Sequence, residues 1–174
     1  MNYHHFRKVL FSTIIGPCLM ILTLGLFCAH AQSEKAAEPY GLWLTENKRS
    51  AIKVMKCEEN PNEICGKIAW IIDGGMQYDT ENPDESLRGR PMCGIKILKG
   101  FEQAKNSPEK WRDGKIYKAD EGDMYTASLT VLGEDKMRVR GYIGIPLFGK
   151  SQIWKKVYQK DYPPCVPAPK NKID

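Results

Sequence analysis

From Tyr40 onward, apolar and polar residues alternate with period two, and clusters of turn residues cut the alternation into short runs. Residues 51–56 alternate, and residues 64–72 place Ile64, Ile68, Trp70 and Ile72 on one face. In residues 125–131, Tyr125, Ala127, Leu129 and Val131 stand opposite three hydroxyl side chains. Residues 137–143 repeat the pattern with Arg138 and Arg140 outward. Further strands are predicted at 41–46, 95–100, 115–119 and 151–158, with Asp120-Glu121-Gly122 and Gly133-Glu134-Asp135 as hairpin connections. Apart from a short segment around residues 101–105, nothing reads as a helix. The pattern predicts an all-β domain of about eight antiparallel strands, either a sandwich or an up-and-down barrel. The barrel is the expectation, because closure removes the sheet edges.

Two segments break the rhythm. Residues 73–94 form a long polar loop, and residues 106–114 a shorter one carrying Trp111. Long loops in compact domains often carry function, so these are the expected rim or lid of any cavity.

The first 31 residues differ from the rest. Arg7 and Lys8 precede an apolar run over 9–27, and Ala29-His30-Ala31 fits a leader cleavage site. Gly16-Pro17 interrupts the run and leaves 18–27 as its continuous part, too short for a membrane-spanning helix. Beyond residue 31 no stretch is apolar enough to cross a membrane. The expected organisation is a signal peptide at 1–31, a linker at 32–39, a barrel at 40–160 and a Pro-rich tail at 161–174. That tail, with Pro163, Pro164, Pro167 and Pro169, is expected to be extended and partly disordered.

Cleavage after Ala31 changes the available chemistry. His4, His5 and His30 all lie in the leader, so the remaining chain has no histidine. That excludes Ser-His-Asp and Cys-His nucleophilic systems and removes the commonest metal ligand. Losing Arg7 and Lys8 lowers the formal net charge from +5 to about +3, with no basic run longer than two residues. Nucleic-acid binders concentrate their positive charge, so no nucleic-acid partner is expected.

Four cysteines remain. Cys57 and Cys65 bracket a polar turn between two strands and are expected to form a disulfide across a hairpin. Zinc is the competing reading, but the spacing is not that of a zinc site and no histidine completes one. Cys93 and Cys165 are left to each other by elimination alone.

Several residues are candidates for a binding site. Arg88 and Arg90 follow the acidic loop 79–85 and, as alternate residues of an extended segment, could hold a carboxylate or phosphate at a barrel mouth. Their competing role is to pair with Asp79, Glu81, Asp84 or Glu85 and brace the loop. The same acidic loop lacks the residue order and glycine of an EF-hand, so it reads as a solvated turn closed by Asn82-Pro83. Trp43, Trp70, Tyr117, Tyr125, Tyr142 and Trp154 come from several strands and either fill the interior or line a pocket. Paired carboxylates could hydrolyse glycosides without histidine, but the acids lie in turns and loops. Ser128 and Ser151 lack the S-x-x-K context of a Ser-Lys enzyme.

Residues 40–157 resemble a family of secreted bacterial proteins of uncharacterised function with a lipocalin-like barrel. The resemblance rests on Gly41-Leu42-Trp43, Cys65-Gly66-Lys67-Ile68 with Trp70, Asn82-Pro83, and Leu87-Arg88-Gly89-Arg90-Pro91. It continues through Cys93-Gly94, Gly114-Lys115-Ile116-Tyr117, Glu121-Gly122 with Tyr125, and Arg138-Val139-Arg140-Gly141-Tyr142-Ile143-Gly144. Pro146-Leu147-Phe148-Gly149 and Trp154 complete it. It implies a calycin-type barrel in the bacterial periplasm that binds a small, partly apolar molecule. In such barrels a first-strand Trp packs near a last-strand Arg, whereas this chain has Trp154-Lys155-Lys156 at the corresponding end. Lysine can lie over a ring but lacks the planar fork of arginine.

These readings converge on an exported, non-enzymatic protein that binds a small, partly apolar and acidic molecule, without cofactor or metal. The alternatives are an envelope interaction module with a filled barrel and a carboxylate hydrolase. Protein partners are not specified by the sequence.

Overall fold

A computed structural model describes residues 38–169. The expected leader, most of the linker and residues 170–174 lie outside the described residues. Eight strands follow in order: β1 (Gly41–Leu44), β2 (Ser50–Lys56), β3 (Glu63–Ile71), β4 (Lys96–Ala104), β5 (Ser107–Lys118), β6 (Asp123–Val131), β7 (Lys136–Tyr142) and β8 (Lys150–Val157). Each pairs antiparallel with its neighbour, and β1 pairs with β8 through Trp43 opposite Lys156. The sheet is a closed up-and-down barrel, as the alternation predicted.

The period-two pattern sorts side chains into an inner and an outer set. Inside, Trp43, Val54, Ile64, Phe101, Trp111, Leu129 and Met137 belong to one buried cluster. Phe101 fills the space over Gly114, where an added Cβ would lie 2.3 Å from the ring. Each such side chain, fully buried, contributes about 1.5–3 kcal/mol. This packing closes the barrel end that carries the β2–β3, β4–β5 and β6–β7 turns.

Three features of the strands depart from the sequence reading. Residues 106–114 are not a loop, and 101–105 are not helical. β4 and β5 run through both segments as a long hairpin, and Trp111 enters the core. The period-two signal is weak there because polar residues of β4 and β5, such as Glu102, Gln103 and Arg112, are exposed. Trp70 does not share the inner face of Ile64 and Ile68. A register shift pairs Ile52 with Ile68 but Ala51 with Trp70, so one extra β3 residue turns Trp70 outward and Ile71 inward.

The tail is held, not loose, as far as Cys165. Leu42, Leu44 and Ala51 form a second, outward cluster, with Trp70 and Tyr162 packed against it. The Tyr162 ring meets Trp70 edge-on at 5.0 Å, and the Cys165 N–H donates to the Ala69 carbonyl at 2.8 Å. Cys93–Cys165 is a disulfide, as is Cys57–Cys65. The former spans 72 residues of sequence and restricts the unfolded chain by about 4 kcal/mol on loop-closure entropy.

Candidate functional site

At the other end of the barrel the interior is hollow. A cavity of about 480 Å³ opens between the loops β1–β2, β3–β4, β5–β6 and β7–β8. It exists because inward positions become small towards this mouth. Leu129 gives way to Ala127 along β6, and Met137 to Val139 and then Gly141 along β7, before Tyr125 stands at the rim. An added Cβ at Gly141 would make only ordinary contacts, 3.5 Å from Ile116 and 3.6 Å from Tyr125. Ile68, Ile71, Met76, Met92, Ile97 and Val139 give the cavity an apolar wall.

The same inward positions become polar at the rim. Residues directly opposite on neighbouring strands share a face. Met137 faces Trp154, Val139 faces Gln152, and Gly141 faces Lys150, so β8 sends Trp154, Gln152 and Lys150 inward in succession. Trp154 is held by its indole N–H donating to Gln152 at 2.9 Å. Arg49 and Lys118 join Lys150 at the lining, together with the carboxylates of Asp120 and Glu121. Lys118 pairs with Glu121, and Tyr125 donates its hydroxyl to the other Glu121 oxygen at 2.8 Å. The Lys118 hydrogen bond, followed by that of Tyr125, lowers the Glu121 pKa. The Glu121 hydrogen bond, then burial, pushes the Tyr125 phenol up to about 12. Arg49 and Lys150 make no ion pair among the described residues, so their charge is available to an anion in the cavity.

The candidates from the sequence divide. Tyr117, Tyr125, Tyr142 and Trp154 line the cavity. Trp43 is fully buried at the closed end, with its N–H donating to the Pro39 carbonyl at 2.7 Å, and Trp70 lies on the outer wall. Arg88 and Arg90 do not line the cavity and act on the loop instead. Arg88 donates to the Asn82 carbonyl at 2.9 Å and pairs with Glu85 at 3.2 Å. Arg90 pairs at 2.6 Å with Asp79, which is completely buried.

Asp79 is the centre of a network that anchors the long loop to the barrel. Tyr117 donates its hydroxyl to Asp79 at 2.6 Å, and the Asn82 amide donates to both Asp79 and Tyr117, at 2.7 and 3.1 Å. The Arg90 guanidinium also lies 5.8 Å from the Tyr117 ring centre. Burial, then the Asp79 hydrogen bond and charge, pushes the Tyr117 phenol up to about 12. The loop reaches the β5–β6 turn as well. Gly122 has φ +72°, and a Cβ there would lie 1.9 Å from the Glu81 carbonyl oxygen. Among the described residues no cluster of three or more His, Cys, Asp or Glu is arranged to hold a metal ion.

A family model described as an uncharacterised protein conserved in bacteria, DUF2147, matches residues 41–156. The chain belongs to that family. The match spans all eight strands to within one residue of the end of β8. Among solved structures, protein HP1028 from the human pathogen Helicobacter pylori, described as belonging to the lipocalin family, aligns with a TM-score of 0.63. The identity is 18%, over 72% of this chain and 86% of that one, a likeness that shows the fold. No curated protein matches. Where the resemblance implied a last-strand cation near the first-strand tryptophan, Lys156 Nζ of this DUF2147 protein lies 5.4 Å from the centre of the Trp43 ring.

The residues missed by sequence reading are Arg49, Lys118, Lys150 and Gln152. One signal could have found the last two. Counting back from Trp154 in steps of two gives Gln152 and then Lys150, on the face of a core tryptophan.

Proposed function

We propose that this DUF2147 protein is exported and binds, without catalysis, a small and mostly apolar molecule carrying an acidic group. The observation that carries this reading is the open cavity of about 480 Å³, apolar along its wall, with Arg49 and Lys150 at its rim. A pocket of this size suits a small ligand, and burial of apolar area supplies affinity at about 25 cal/mol per Å². The cationic rim selects the head group. The lipocalin-like fold supports binding by analogy only. Two disulfides suit an oxidising compartment such as the periplasm, in keeping with the leader-like first 31 residues.

The cavity disfavours a filled interaction module. A carboxylate hydrolase fits poorly too. The carboxylates at the cavity are Asp120 and Glu121, neighbours in one rim turn, and the lowered pKa of Glu121 unfits it as a general acid.

The test is displacement of a fluorescent apolar probe by a long-chain fatty acid and by the corresponding neutral alcohol. The fatty acid should compete, and Arg49→Met with Lys150→Met should weaken it about five- to tenfold while leaving the alcohol unchanged. Failure of both ligands to displace the probe, or failure of the probe to bind, overturns the reading.

A further inference from the structure

The β7–β8 hairpin carries a feature that ligand binding does not require. Its loop, residues 143–149, exposes Ile143 (75%), Ile145 (53%), Leu147 (75%) and Phe148 (78%). Ile145 and Leu147 do not line the cavity, so pocket formation does not account for them. The exposure is enforced. Pro146–Phe148 forms a single 3₁₀ turn, and Arg140 clamps it by donating to the Pro146 carbonyl from Nε at 2.9 Å and Nη2 at 2.7 Å. The same guanidinium donates to the Leu147 carbonyl at 3.3 Å and to the Ser151 hydroxyl at 2.9 Å. A loop held this firmly presents its apolar side chains outward.

Charge on this hairpin has one sign. Between Lys136 and Lys160 there is no Asp or Glu, and the charges nearest the tip, Arg138, Arg140 and Lys150, are all basic, while Lys136, Lys155 and Lys156 lie towards the closed end. An apolar tip on a basic shaft matches the layers of a bilayer surface that carries anionic phospholipid. Apolar side chains enter the acyl boundary while cations remain among the phosphates. Other occupants match less well. Two copies joined by the same patch would set basic hairpin against basic hairpin. A protruding tip of four side chains is also small for a specific protein interface, which needs about 800 Å² on each partner.

We propose that the β7–β8 tip docks this protein on the surface of a bilayer containing anionic phospholipid, with the mouth of the cavity facing the lipid. Ile143 and Phe148 belong to both the tip and the cavity lining, so docking places the opening at the membrane. The docking surface does not depend on what the cavity holds.

The experiment uses the soluble protein recovered from cells expressing the full chain, with its N-terminus sequenced. It is sedimented with vesicles of phosphatidylethanolamine and phosphatidylglycerol, or of phosphatidylcholine alone. Binding should favour the anionic vesicles and weaken with added salt. Ile145→Glu with Leu147→Glu should reduce it about tenfold or more, leaving the thermal midpoint and probe binding in the cavity unchanged. Equal sedimentation of wild type and variant overturns the proposal. So does absence of vesicle binding, or a concentration-dependent dimer that the variant loses while vesicle binding persists. Failure of the cavity reading alone would show as absent probe binding with vesicle binding intact.

Discussion

The two ends of the barrel are built from the same strands and obey opposite rules. At the closed end the inward positions are Trp43, Val54, Phe101, Trp111, Leu129 and Met137, and glycine appears where a neighbour's ring needs its space, as at Gly114 under Phe101. At the mouth the inward positions are Ser50, Lys118, Tyr125, Gly141, Lys150 and Gln152, and the space at Gly141 is left open. The closed end supplies stability, and the mouth gives some of it up for an accessible hollow. Binding sites are generally drawn from regions that pack less than they could.

Truncation should expose this difference first and most strongly. Phe101→Ala removes a fully buried ring from the closed end and should cost about 3–5 kcal/mol in chemical or thermal unfolding. Phe148→Ala at the mouth removes a ring that is 78% exposed and should change stability by about 0.5 kcal/mol or less. Comparable losses at the two sites would end the distinction between a packed end and an open one.

The long loop at the mouth is held by a polar bracket. Asp79 is completely buried and depends on Arg90, Tyr117 and Asn82 for its partners. Arg90→Ala leaves that carboxylate with two neutral partners. Because Arg90 is itself about one-third exposed (34%), the expected cost is discounted to about 2–3 kcal/mol. Arg88→Ala removes a hydrogen bond to a carbonyl and an exposed ion pair, and should cost about 1 kcal/mol or less. Neither change should select between acidic and neutral ligands, since neither residue lines the cavity. Loss of acid selectivity in the Arg90 variant would return that residue to the binding site.

How much of this contrast could be read from the chain follows from what each end exposes to pattern analysis. The closed end writes itself as alternation in β2, β3, β6 and β7, so the strand count, the β6–β7 turn and the Cys57–Cys65 pair were legible, whereas the β4–β5 hairpin, with its exposed polar residues, read as a loop and a short helical segment. The strand-end polar residues of the mouth look like any solvated strand terminus. Lys150 and Lys155 look alike as single residues, and what separates them is their offset from the core Trp154, even for the first, which points inward, and odd for the second, which points out. The bulge that turned Trp70 outward is a single extra residue, invisible to a period-two count. Arg88 and Arg90 drew attention as alternate residues of an extended segment, but the neighbouring acids that offered them a competing role are the partners they take, Glu85 and Asp79.

The same bracket should give the mouth a pH signature that the closed end lacks. The Tyr117 pKa is raised to about 12 from the ordinary 10.0, chiefly by burial and then by Asp79. A phenol whose folded-state pKa is raised stabilises the fold fully below the unfolded value, and that contribution disappears as pH rises from about 10 to 12. Ionisation would place a phenolate against a carboxylate 2.6 Å away. Absorbance titration near 295 nm should show this late-titrating group, and Tyr117→Phe should flatten the fall of stability over that interval. Tyr125, also raised to about 12, contributes a second late phenol, and Tyr125→Phe separates the two. A normal titration of both tyrosines would mean that neither hydrogen bond persists in solution.

The smallest expected effect on stability is the most informative about the hollow. Gly141 lies on β7 opposite Lys150, between Ile116 and Tyr125, and a Cβ added there would sit at ordinary contact distances of 3.5 and 3.6 Å from them. Gly141→Leu therefore adds a side chain that must extend into the cavity instead of into the wall. Replacing a strand glycine lowers the entropy of the unfolded chain, and the new methyl groups bury apolar area in a space that is already apolar. These gains offset crowding against Ile116, so the thermal midpoint should stay within a few degrees of wild type. Probe affinity should nevertheless fall by about tenfold or more, because an isobutyl group occupies part of the volume a ligand needs. The analogous filling at the closed end, Gly114→Leu, meets the Phe101 ring at 2.3 Å and should unfold or rearrange the core. A Gly141→Leu protein that is as stable as wild type and still binds the probe undiminished would show that the probe sits elsewhere, and the cavity at the mouth would lose its claim to be the binding site.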